Sequence, residues 1–353
     1  MADTGTAPSR DAFVLNGEII KLGSRVTVKI PTSFLSDHTP MSLTTHVIHG
    51  RKDGPTVFVS GAIHGDEIIG VEIIQRLNAM KVINQVRGTL ILIPVVNAYG
   101  FVSQSRYLPD RRDLNRSFPG SANGPLASQL AHRFMTDIVA HCDLEIDLHT
   151  GAIHRANLPQ IRAELDNPEV LELAQAFGAS IMLNAQLRDG SLREAAQQKG
   201  CKILLYEAGE ALRYDETAIR IGVRGVLSVL RHVGMLTAAK SKEKGFVPIR
   251  SDSSHWLRAP IGGVMRARKT LGDRVRKGQV VADISDPLGE LSDEVTARYS
   301  GIVIGRTNLP VVNRGDALFH VARVKNASDA EERIDALDDE VDDDPLLDGF
   351  EIV

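Results

Sequence analysis

Hydrophobic positions follow two different periods along the middle of this 353-residue chain. Continuous apolar runs of strand length occur as TVFVSG, TLILIPVVN, LEIDLH and KILLYEAG. Between them, the segments EIIGVEIIQRLNAM, LASQLAHRFMTDIVAHC and DETAIRIGVRGVLSVLRHVGML repeat their apolar residues with the period of a helix. Because strands that are buried on both faces lack polar alternation, this pattern predicts an α/β domain whose central sheet is covered by helices.

The flanking regions have strand-like patterns without helical periodicity. Residues 13–50 contain short β-branched runs that are broken by Gly and Pro. Residues 255–324 contain many Gly, Pro and Asp turns and two half-similar stretches, which begin APIGGVMRARKTLGD and ARYSGIVIGRTNLP. We predict an internally duplicated, all-β barrel-sandwich for this region.

Three regions follow from these patterns. Residues 1–245 form the predicted α/β domain, with a short N-terminal β segment, and residues 250–324 form the predicted C-terminal β-sandwich domain. The linker AAKSKEKGFVP separates the two. Residues 325–353 are acidic and poor in aromatics, so we predict a disordered tail.

Charge and cysteine content exclude several classes of protein. Of the 45 acidic residues, 12 follow Asn326, and the rest of the chain is basic by only roughly +7, with no aromatic residues interleaved among the basic ones, which argues against nucleic-acid binding. Cys142 and Cys201 form no CxxC spacing, so neither a disulfide framework nor a thiolate zinc site is encoded. The N-terminus lacks a secretory signal, and no apolar run approaches the ~18 residues of a membrane span. We therefore predict a cytosolic protein.

A histidine and a glutamate lie three residues apart where the first apolar run gives way to a helical pattern. In GAIHGDE, the side chains of His64 and Glu67 can face one point. Gly61 and Gly65 would allow a sharp turn there, and Asp66 would begin the helix. A histidine nitrogen and a carboxylate oxygen suit zinc, which has three protein ligands in most catalytic sites.

The best candidate for a third ligand is His149, at the end of the run LEIDLH. Asp147 lies two residues earlier on the same face of the predicted strand, where it could orient His149. Both motifs fall at the carboxyl ends of strands, where open α/β sheets assemble their sites. His154 follows a turn with no strand to fix it, so we expect it at the rim. The other histidines lack an acidic partner at ligand spacing and are predicted to be ordinary surface or core residues: His38, His46, His49, His132, His141, His232, His255 and His320.

Hydrolysis at such a metal site also requires a proton acceptor. Glu207 ends the run KILLYEAG, so its carboxylate would be partly desolvated and suited to act as a general base and then as a general acid. Glu210 is the competitor, but it lies beyond the glycine and is expected to be exposed.

Four arginines occur in the turn-rich segment SRYLPDRRDLNRSFPG, residues 105–120. The planar guanidinium group binds carboxylates through two parallel hydrogen bonds, so the segment is a candidate anion-binding loop. The alternative is a basic loop whose arginines pair with its own Asp110 and Asp113. Its position between the two candidate metal-binding segments favours anion binding.

The motifs HGDE, DLNRSFPG, DLHTG and YEAGE occur in this order, and with them residues of about 55–235 resemble the succinylglutamate desuccinylase/aspartoacylase family. The catalytic fold of that family is similar to zinc carboxypeptidases, which implies a mixed central sheet flanked by helices. The resemblance further implies one Zn²⁺ per chain, with His64, Glu67 and His149 as its ligands. It also implies that Glu207 is the catalytic carboxylate that activates the water molecule.

The resemblance also indicates how the substrate is held. Asn115 and Arg116, in DLNR, would bind the α-carboxylate of the substrate. Arg106 matches the family arginine that polarises the scissile carbonyl group. The spacer between RY and DLNR is longer here than in aspartoacylases, so Arg112 competes with Arg106 for that role.

Arg193, in SLREAA, lies near a substrate-binding arginine of the family. An equally good alternative is a helix-terminal role beside a capping box formed by Ser191 and Glu194. The tyrosine that carboxypeptidases place near the scissile bond has no counterpart that we could identify.

The C-terminal sandwich resembles the biotinyl/lipoyl barrel. A carrier of that type needs a modifiable lysine at the exposed hairpin, where this chain has DISDPLGE with Asp286 and Pro287. The sequence therefore disfavours a swinging-arm carrier. We expect the domain instead to narrow the mouth of the site and to exclude polypeptides, as a C-terminal β domain does in that family.

These features predict a zinc-dependent amidohydrolase that cleaves the amide bond of a small N-acyl amino acid, such as an N-succinyl or N-acetyl amino acid. One alternative is a metallocarboxypeptidase that acts on short peptides. Another is a non-catalytic binding protein whose sandwich docks partners. No motif identifies the acyl group or the amino acid, and a homo-oligomer remains open.

Overall fold

The computed structural model describes residues 10–238, 247–342 and 344. Residues 239–246, which make up most of the predicted linker, and residues 345–353 of the predicted tail lie outside the described residues. Among the helices in the described ranges, none is long and apolar enough to cross a lipid bilayer. The cytosolic location stays a prediction.

Strands and helices alternate through the first two thirds of the described chain. The strands are β1 (Phe13–Leu15), β2 (Glu18–Ile20), β3 (Ser24–Phe34), β4 (Pro40–His49), β5 (Thr56–Gly61), β6 (Thr89–Ile93), β7 (Leu144–Gly151), β8 (Arg155–Ala163), β9 (Ile181–Asn184) and β10 (Lys202–Glu210). The helices are α1 (Ile69–Ala79), α2 (Ala98–Val102), α3 (Leu126–Asp137), α4 (Pro168–Phe177), α5 (Leu192–Gln197) and α6 (Glu216–His232). Short 3₁₀ segments occur at Lys81–Gln85, Leu114–Arg116 and Val139–His141.

The remaining described residues are mostly strands. They are β11 (Ile249–Ser251), β12 (Ser254–Arg258), β13 (Gly263–Ala267), β14 (Arg274–Val275), β15 (Val280–Ser285), β16 (Ser292–Thr296), β17 (Gly301–Thr307), β18 (Val311–Val312) and β19 (Ala317–Ala322). One helix follows them, α7 (Ala327–Asp342).

A mixed sheet of 13 strands forms the centre of the molecule, in the order β12-β19-β17-β8-β10-β7-β5-β6-β4-β3, with β9, β11 and β14 attached beside this path. The four predicted apolar runs are β5, β6, β7 and β10, which lie side by side in parallel. The antiparallel strands β4 and β8 flank them. The predicted mixed sheet flanked by helices is therefore confirmed.

The central strands are buried on both faces because each face meets a different layer. Val57 and Val59 of β5 belong to a core with α1, α4 and α6. Phe58, between them, points to the opposite core, where its ring centroid lies 5.7 Å from that of Phe134 on α3. Helices on both sides leave no strand face for solvent, which explains the absence of polar alternation in the sequence.

The C-terminal strands form two packed layers. A sheet of four strands, β16-β15-β13-β18, shares an apolar core with β12, β17 and β19. β17 also pairs with β8, through Gly305 opposite Asn157 and Thr307 opposite Arg155. One layer of the C-terminal region is therefore continuous with the central sheet.

The predicted disorder of the acidic tail is wrong for residues 327–342, which form α7. Ala330 and Ile334 pack against the C-terminal strands, and Leu337 and Val341 pack into the core beside α6. The spacing of these residues gives one apolar stripe along the helix. The acidic composition hid this stripe, because it dominates any reading by average hydrophobicity.

Candidate metal centre and substrate site

The predicted site residues meet at the carboxyl ends of the parallel strands. His64 and Glu67 lie in the loop between β5 and α1, and His149 lies on β7. Glu207 on β10 is directly opposite His149 in the parallel ladder, so both side chains are on the same face of the sheet. The sheet register thus brings together residues that are far apart in the sequence.

His64, Glu67 and His149 form a compact, buried group. Nδ1 of His64 lies 2.6 Å from Oε1 of Glu67, and Nδ1 of His149 lies 2.7 Å from Oε2 of the same carboxylate. One possible ligand atom from each of the three residues lies within 4.8 Å of the others. Two nitrogens and one carboxylate oxygen are a ligand set of catalytic zinc sites.

A carboxylate holds the outer nitrogen of each histidine. Nε2 of His149 lies 2.7 Å from Asp147, as its position on the strand predicts, and Nε2 of His64 lies 3.1 Å from Asp113. Such contacts fix the ring orientation and leave Nδ1 as the ligand atom. The two Nδ1 atoms face a common point, so the residues fit a zinc ion.

The local charges support the same conclusion. Burial alone would raise the pKa of Glu67, but His64 and His149 outweigh it and hold that pKa far below its ordinary value. Burial opposes charge on His149, yet Asp147 and Glu67 raise its pKa well above the ordinary value. The pocket therefore stabilises positive charge between its carboxylates.

A further carboxyl group lies behind Asp147. Oγ of Ser60 is 2.9 Å from Oε1 of Glu145 and 3.2 Å from Oδ1 of Asp147. Burial first, and Asp147 second, raise the pKa of Glu145 well above its ordinary value. A protonated Glu145 avoids placing a second full charge beside Asp147, so Asp147 stays available to His149.

Two details of the first loop differ from the prediction. Asp66 does not cap α1, which begins at Ile69 after an N-cap residue without a side-chain bond; Asp66 is buried, and its backbone carbonyl accepts a hydrogen bond from Leu212. Gly65 is needed for packing: a Cβ there would lie 1.9 Å from the carbonyl carbon of Gly100. The loop is fixed by close approach to the segment after β6 rather than by glycine flexibility.

Arg106 reaches the site and Arg112 does not. One guanidinium nitrogen of Arg106 donates to Oε1 of Glu67 at 3.1 Å, and another donates to Asp113 at 3.0 Å. The side chain of Arg112 is 59% exposed, with Nε 3.9 Å from Asp110. Of the two competitors, only Arg106 is placed where it can contact a bound carbonyl group.

Asn115 and Arg116 lie on the loop beside Asp113. Oδ1 of Asn115 accepts a hydrogen bond of 2.9 Å from the backbone of Leu192, at the start of α5. The guanidinium of Arg116 donates to the carbonyl of Asn115. Asn115 therefore joins the DLNR loop to the helix that carries Arg193.

Ser191 caps α5 as predicted, because its hydroxyl accepts a hydrogen bond from the backbone of Glu194. The Glu194 carboxylate returns to the N–H of Gly190 and not to that of Ser191. The Arg193 guanidinium donates to the carbonyl of Gln186 at 2.6 Å and lies within electrostatic reach of Asp147 and Glu207. Arg193 thus faces the site, although it begins a helix.

Two side chains hold Glu207. Nδ2 of Asn157 donates to Oε1 at 2.7 Å, and Nε of Arg162 forms an ion pair with Oε2 at 2.7 Å. The predicted exposure of Glu210 is wrong: only 11% of its side chain is exposed, and it accepts hydrogen bonds from His154 N–H and from Asn308. Glu210 ties the rim of the site to the loop after β17.

The remaining histidines lie away from the metal-binding group. The side chain of His154 is 53% exposed at the rim, as predicted. His320 is buried, with its ring stacked on Trp256 at 4.7 Å and hydrogen-bonded to Ser254.

Sequence reasoning missed the partners of the site residues. Asp113 had been considered only as an ion-pair partner of the loop arginines, and its contact with His64 spans 49 positions. Arg162 and Asn157 gave one weak signal, namely polar residues in an otherwise apolar strand. That signal identifies a special strand but not the residue that it serves.

Comparisons with known proteins agree with this geometry. Residues 53–233, slightly more than half of the chain, match the model of the succinylglutamate desuccinylase/aspartoacylase catalytic domain. A curated relative, N-alpha-acetyl-L-2,4-diaminobutyric acid deacetylase of Halomonas elongata, is 29% identical over 286 residues, which cover 78% of this chain and 84% of the relative.

Solved structures give the same picture. A succinylglutamate desuccinylase/aspartoacylase from Rhodobacter sphaeroides superposes with a TM-score of 0.76 at 27% identity, covering 85% of this chain and 96% of that one. The product-bound ectoine utilization protein EutE (DoeB) from Ruegeria pomeroyi superposes with a TM-score of 0.75 at 25% identity, covering 85% and 94% of the two chains. The mixed α/β fold described above matches the fold of these proteins.

Proposed function

Because the chain belongs to the succinylglutamate desuccinylase/aspartoacylase family, we propose that it is a zinc-dependent amidohydrolase of small N-acyl amino acids. The products would be a carboxylic acid and an amino acid with a free amine. Deacylases among its relatives support the reaction class.

The observation that carries this proposal is the arrangement of His64, Glu67 and His149 in register with Glu207. The two Nδ1 atoms and the Glu67 carboxylate would hold one Zn²⁺. Zinc supplies a Lewis acid that activates water and polarises a carbonyl group at neutral pH. Asp147 and Asp113 would keep the two imidazole rings in the ligating orientation.

The protein's own groups would handle protons and charge. Glu207 would take a proton from water and return it to the leaving amine, with its carboxylate held in place by Asn157 and Arg162. The Arg106 guanidinium would donate to the oxygen on which negative charge develops. Asn115 and Arg116 would hold the α-carboxylate, with Arg116 as the charged partner.

The C-terminal region would form the outer wall of the site. Its contacts are the β17–β8 pairing and the hydrogen bond from Asn308 to Glu210 at 2.8 Å. A lipoyl-like origin of its sandwich agrees with the duplicated sequence pattern. A role as a carrier is disfavoured because the hairpin tip between β15 and β16 presents Asp286 and Pro287, and neither has an amine.

Replacement of one ligand tests the metal site. We expect about one zinc per chain in the wild-type protein by elemental analysis, and a large loss of zinc in His149→Ala because two ligands remain. His154→Ala is the matched control and should keep its zinc, since its side chain lies at the rim. Full zinc occupancy in His149→Ala would contradict the ligand assignment.

A substrate panel tests the reaction class. The zinc-loaded protein should release free amine from acetyl, succinyl or longer acyl derivatives of amino acids. Release of C-terminal residues from short peptides, without deacylation, would support a metallocarboxypeptidase instead. Bound zinc with no hydrolysis of either class would support a binding protein.

A further inference from the structure

Three arginines lie beyond Glu207, on the side of the site away from the metal-binding group. Arg162 lies on β8, Arg193 in the first turn of α5, and Arg188 in the loop before that turn. We call these three residues the arginine group. They come from separate segments, and only Arg193 was singled out by the sequence.

Each member is placed by a contact with the site. Arg162 is opposite Leu205 in the antiparallel ladder and therefore shares the sheet face of Glu207, with which it forms the ion pair. Arg193 is positioned through Leu192, whose backbone N–H is held by Asn115. The carbonyl of Arg188 accepts the hydrogen bond of Ser191, which closes the turn before α5.

The arginine group carries more positive charge than its neighbours neutralise. Glu207 is the carboxylate with a direct contact to the group, and Asp147 is bound to His149. Nη1 of Arg193 is buried and has no hydrogen-bond partner among residues 10–238, 247–342 and 344. Burial first, then Arg162 and Arg188, lower the pKa of Arg193 to about 10. An anion placed there would relieve both the repulsion and the unsatisfied donor.

We propose that the arginine group is a specificity subsite for a second anionic group of the substrate, in addition to the α-carboxylate that Asn115 and Arg116 would hold. Arg193 and Arg162 bind that group, and the exposed Arg188 attracts it from the rim. The preferred substrate is then an N-acyl amino acid with a carboxylate in its side chain or its acyl chain. This inference rests on the proposed deacylase function.

The proposal separates this chain from its curated relative. That relative is named as a deacetylase of N-acetyl-2,4-diaminobutyric acid, whose side chain ends in an amine. A protonated amine would meet guanidinium groups here, with Glu207 already paired to one of them. Repulsion of this kind selects against cations as strongly as attraction selects for anions.

The test compares isosteric substrates on the zinc-loaded, full-length protein. We expect kcat/KM for N-acetylglutamate to exceed that for N-acetylglutamine by about tenfold to a hundredfold, and N-acetyl-2,4-diaminobutyrate to be slowest. N-succinyl and N-butyryl derivatives of one neutral amino acid form the second arm. A preference in the first pair assigns the anion to the side chain, and one in the second pair assigns it to the acyl chain.

Substitutions then connect the preference to the arginine group. Arg188→Gln should reduce the preference several-fold and Arg193→Gln should abolish it, mainly through KM, while the neutral substrates change little in KM. Arg133→Gln, on the surface of α3, is the matched control and should keep the wild-type preference. Competition by glutarate, compared with butyrate, gives a binding measurement that does not depend on turnover.

The outcomes distinguish this proposal from the proposed function. Hydrolysis of neutral or cationic substrates as fast as acidic ones would overturn the arginine group as a subsite and leave the deacylase function intact. Stronger binding of glutarate than of butyrate, lost in Arg193→Gln but without hydrolysis of any acyl amino acid, would support the subsite and contradict the function. A preference for acidic substrates that survives in both variants would also overturn the proposal.

Discussion

The two walls of the candidate site carry opposite charges. One wall presents carboxylates, with Glu67 between the histidines and Asp113 and Asp147 behind them. The other presents the arginine group and is closed by the C-terminal strands. The first wall is suited to hold a cation and the second to hold an anion.

The walls also differ in how the chain builds them. The cation-binding wall depends on short motifs at strand ends, whose spacing already indicates chemistry. The anion-binding wall combines a strand, a loop and a helix that no motif connects. Glu207 lies where the walls meet, in register with His149 and paired with Arg162. The three predictions that follow test the division between the walls.

The largest effect is expected at the meeting point. Glu207→Gln should lower kcat by about a thousandfold or more, because the amide cannot accept a proton from water. Zinc content should stay at the wild-type level, since Glu207 is not a ligand in the proposed site. Steady-state kinetics and elemental analysis on the same preparation check both points.

Glu210→Gln is the matched control for that substitution. It removes a charge three residues away that binds Asn308 and the rim rather than the reaction site. Wild-type kcat in Glu207→Gln would show that the proton acceptor lies elsewhere.

A smaller effect is expected within the cation-binding wall. Asp147→Asn should weaken zinc binding by about tenfold to a hundredfold, because the amide no longer anchors the His149 ring as an anion does. Competition with a chelator of known affinity measures the change. Arg162→Gln should leave zinc affinity unchanged, and an equal loss in both variants would mean that the two walls are not separable.

The smallest effect is expected outside both walls, on α7. Burial and the neighbouring acids, led by Asp342, raise the pKa of Asp338 from 3.8 to about 6. The folded protein thus holds this proton more tightly than the unfolded chain, so the stabilisation is complete below pH 3.8 and is lost as the pH rises through about 6.

Thermal unfolding across this pH range tests the contribution of Asp338. Asp338→Asn should raise Tm by roughly 2 °C above about pH 7 and flatten its pH dependence. Glu332→Gln, on the exposed face of the same helix, should retain the wild-type dependence. Identical pH profiles for wild type and Asp338→Asn would contradict this account.

The parts of the molecule that the sequence predicted are those with local signals. β5, β7 and β10 are apolar throughout because both of their faces are covered, and His64, Glu67 and His149 follow such strands directly. The parts that it did not predict depend on distant contacts. Asp113 reaches His64 across 49 positions, and Gly65 is required only because Gly100 approaches it. The apolar stripe of α7 was present in the sequence but was outweighed by its acidic neighbours.

The pairing of β17 with β8 makes residue 250 a poor place to cut the chain. A truncated protein that ends before β11 would leave the edge of β8 with unpaired backbone groups, which promote aggregation. It would also lose the close approach of Gly305 to Asn157, a residue that holds Glu207. The C-terminal region is therefore inherited and unfolded together with the site, and it is not a module that can be exchanged between proteins.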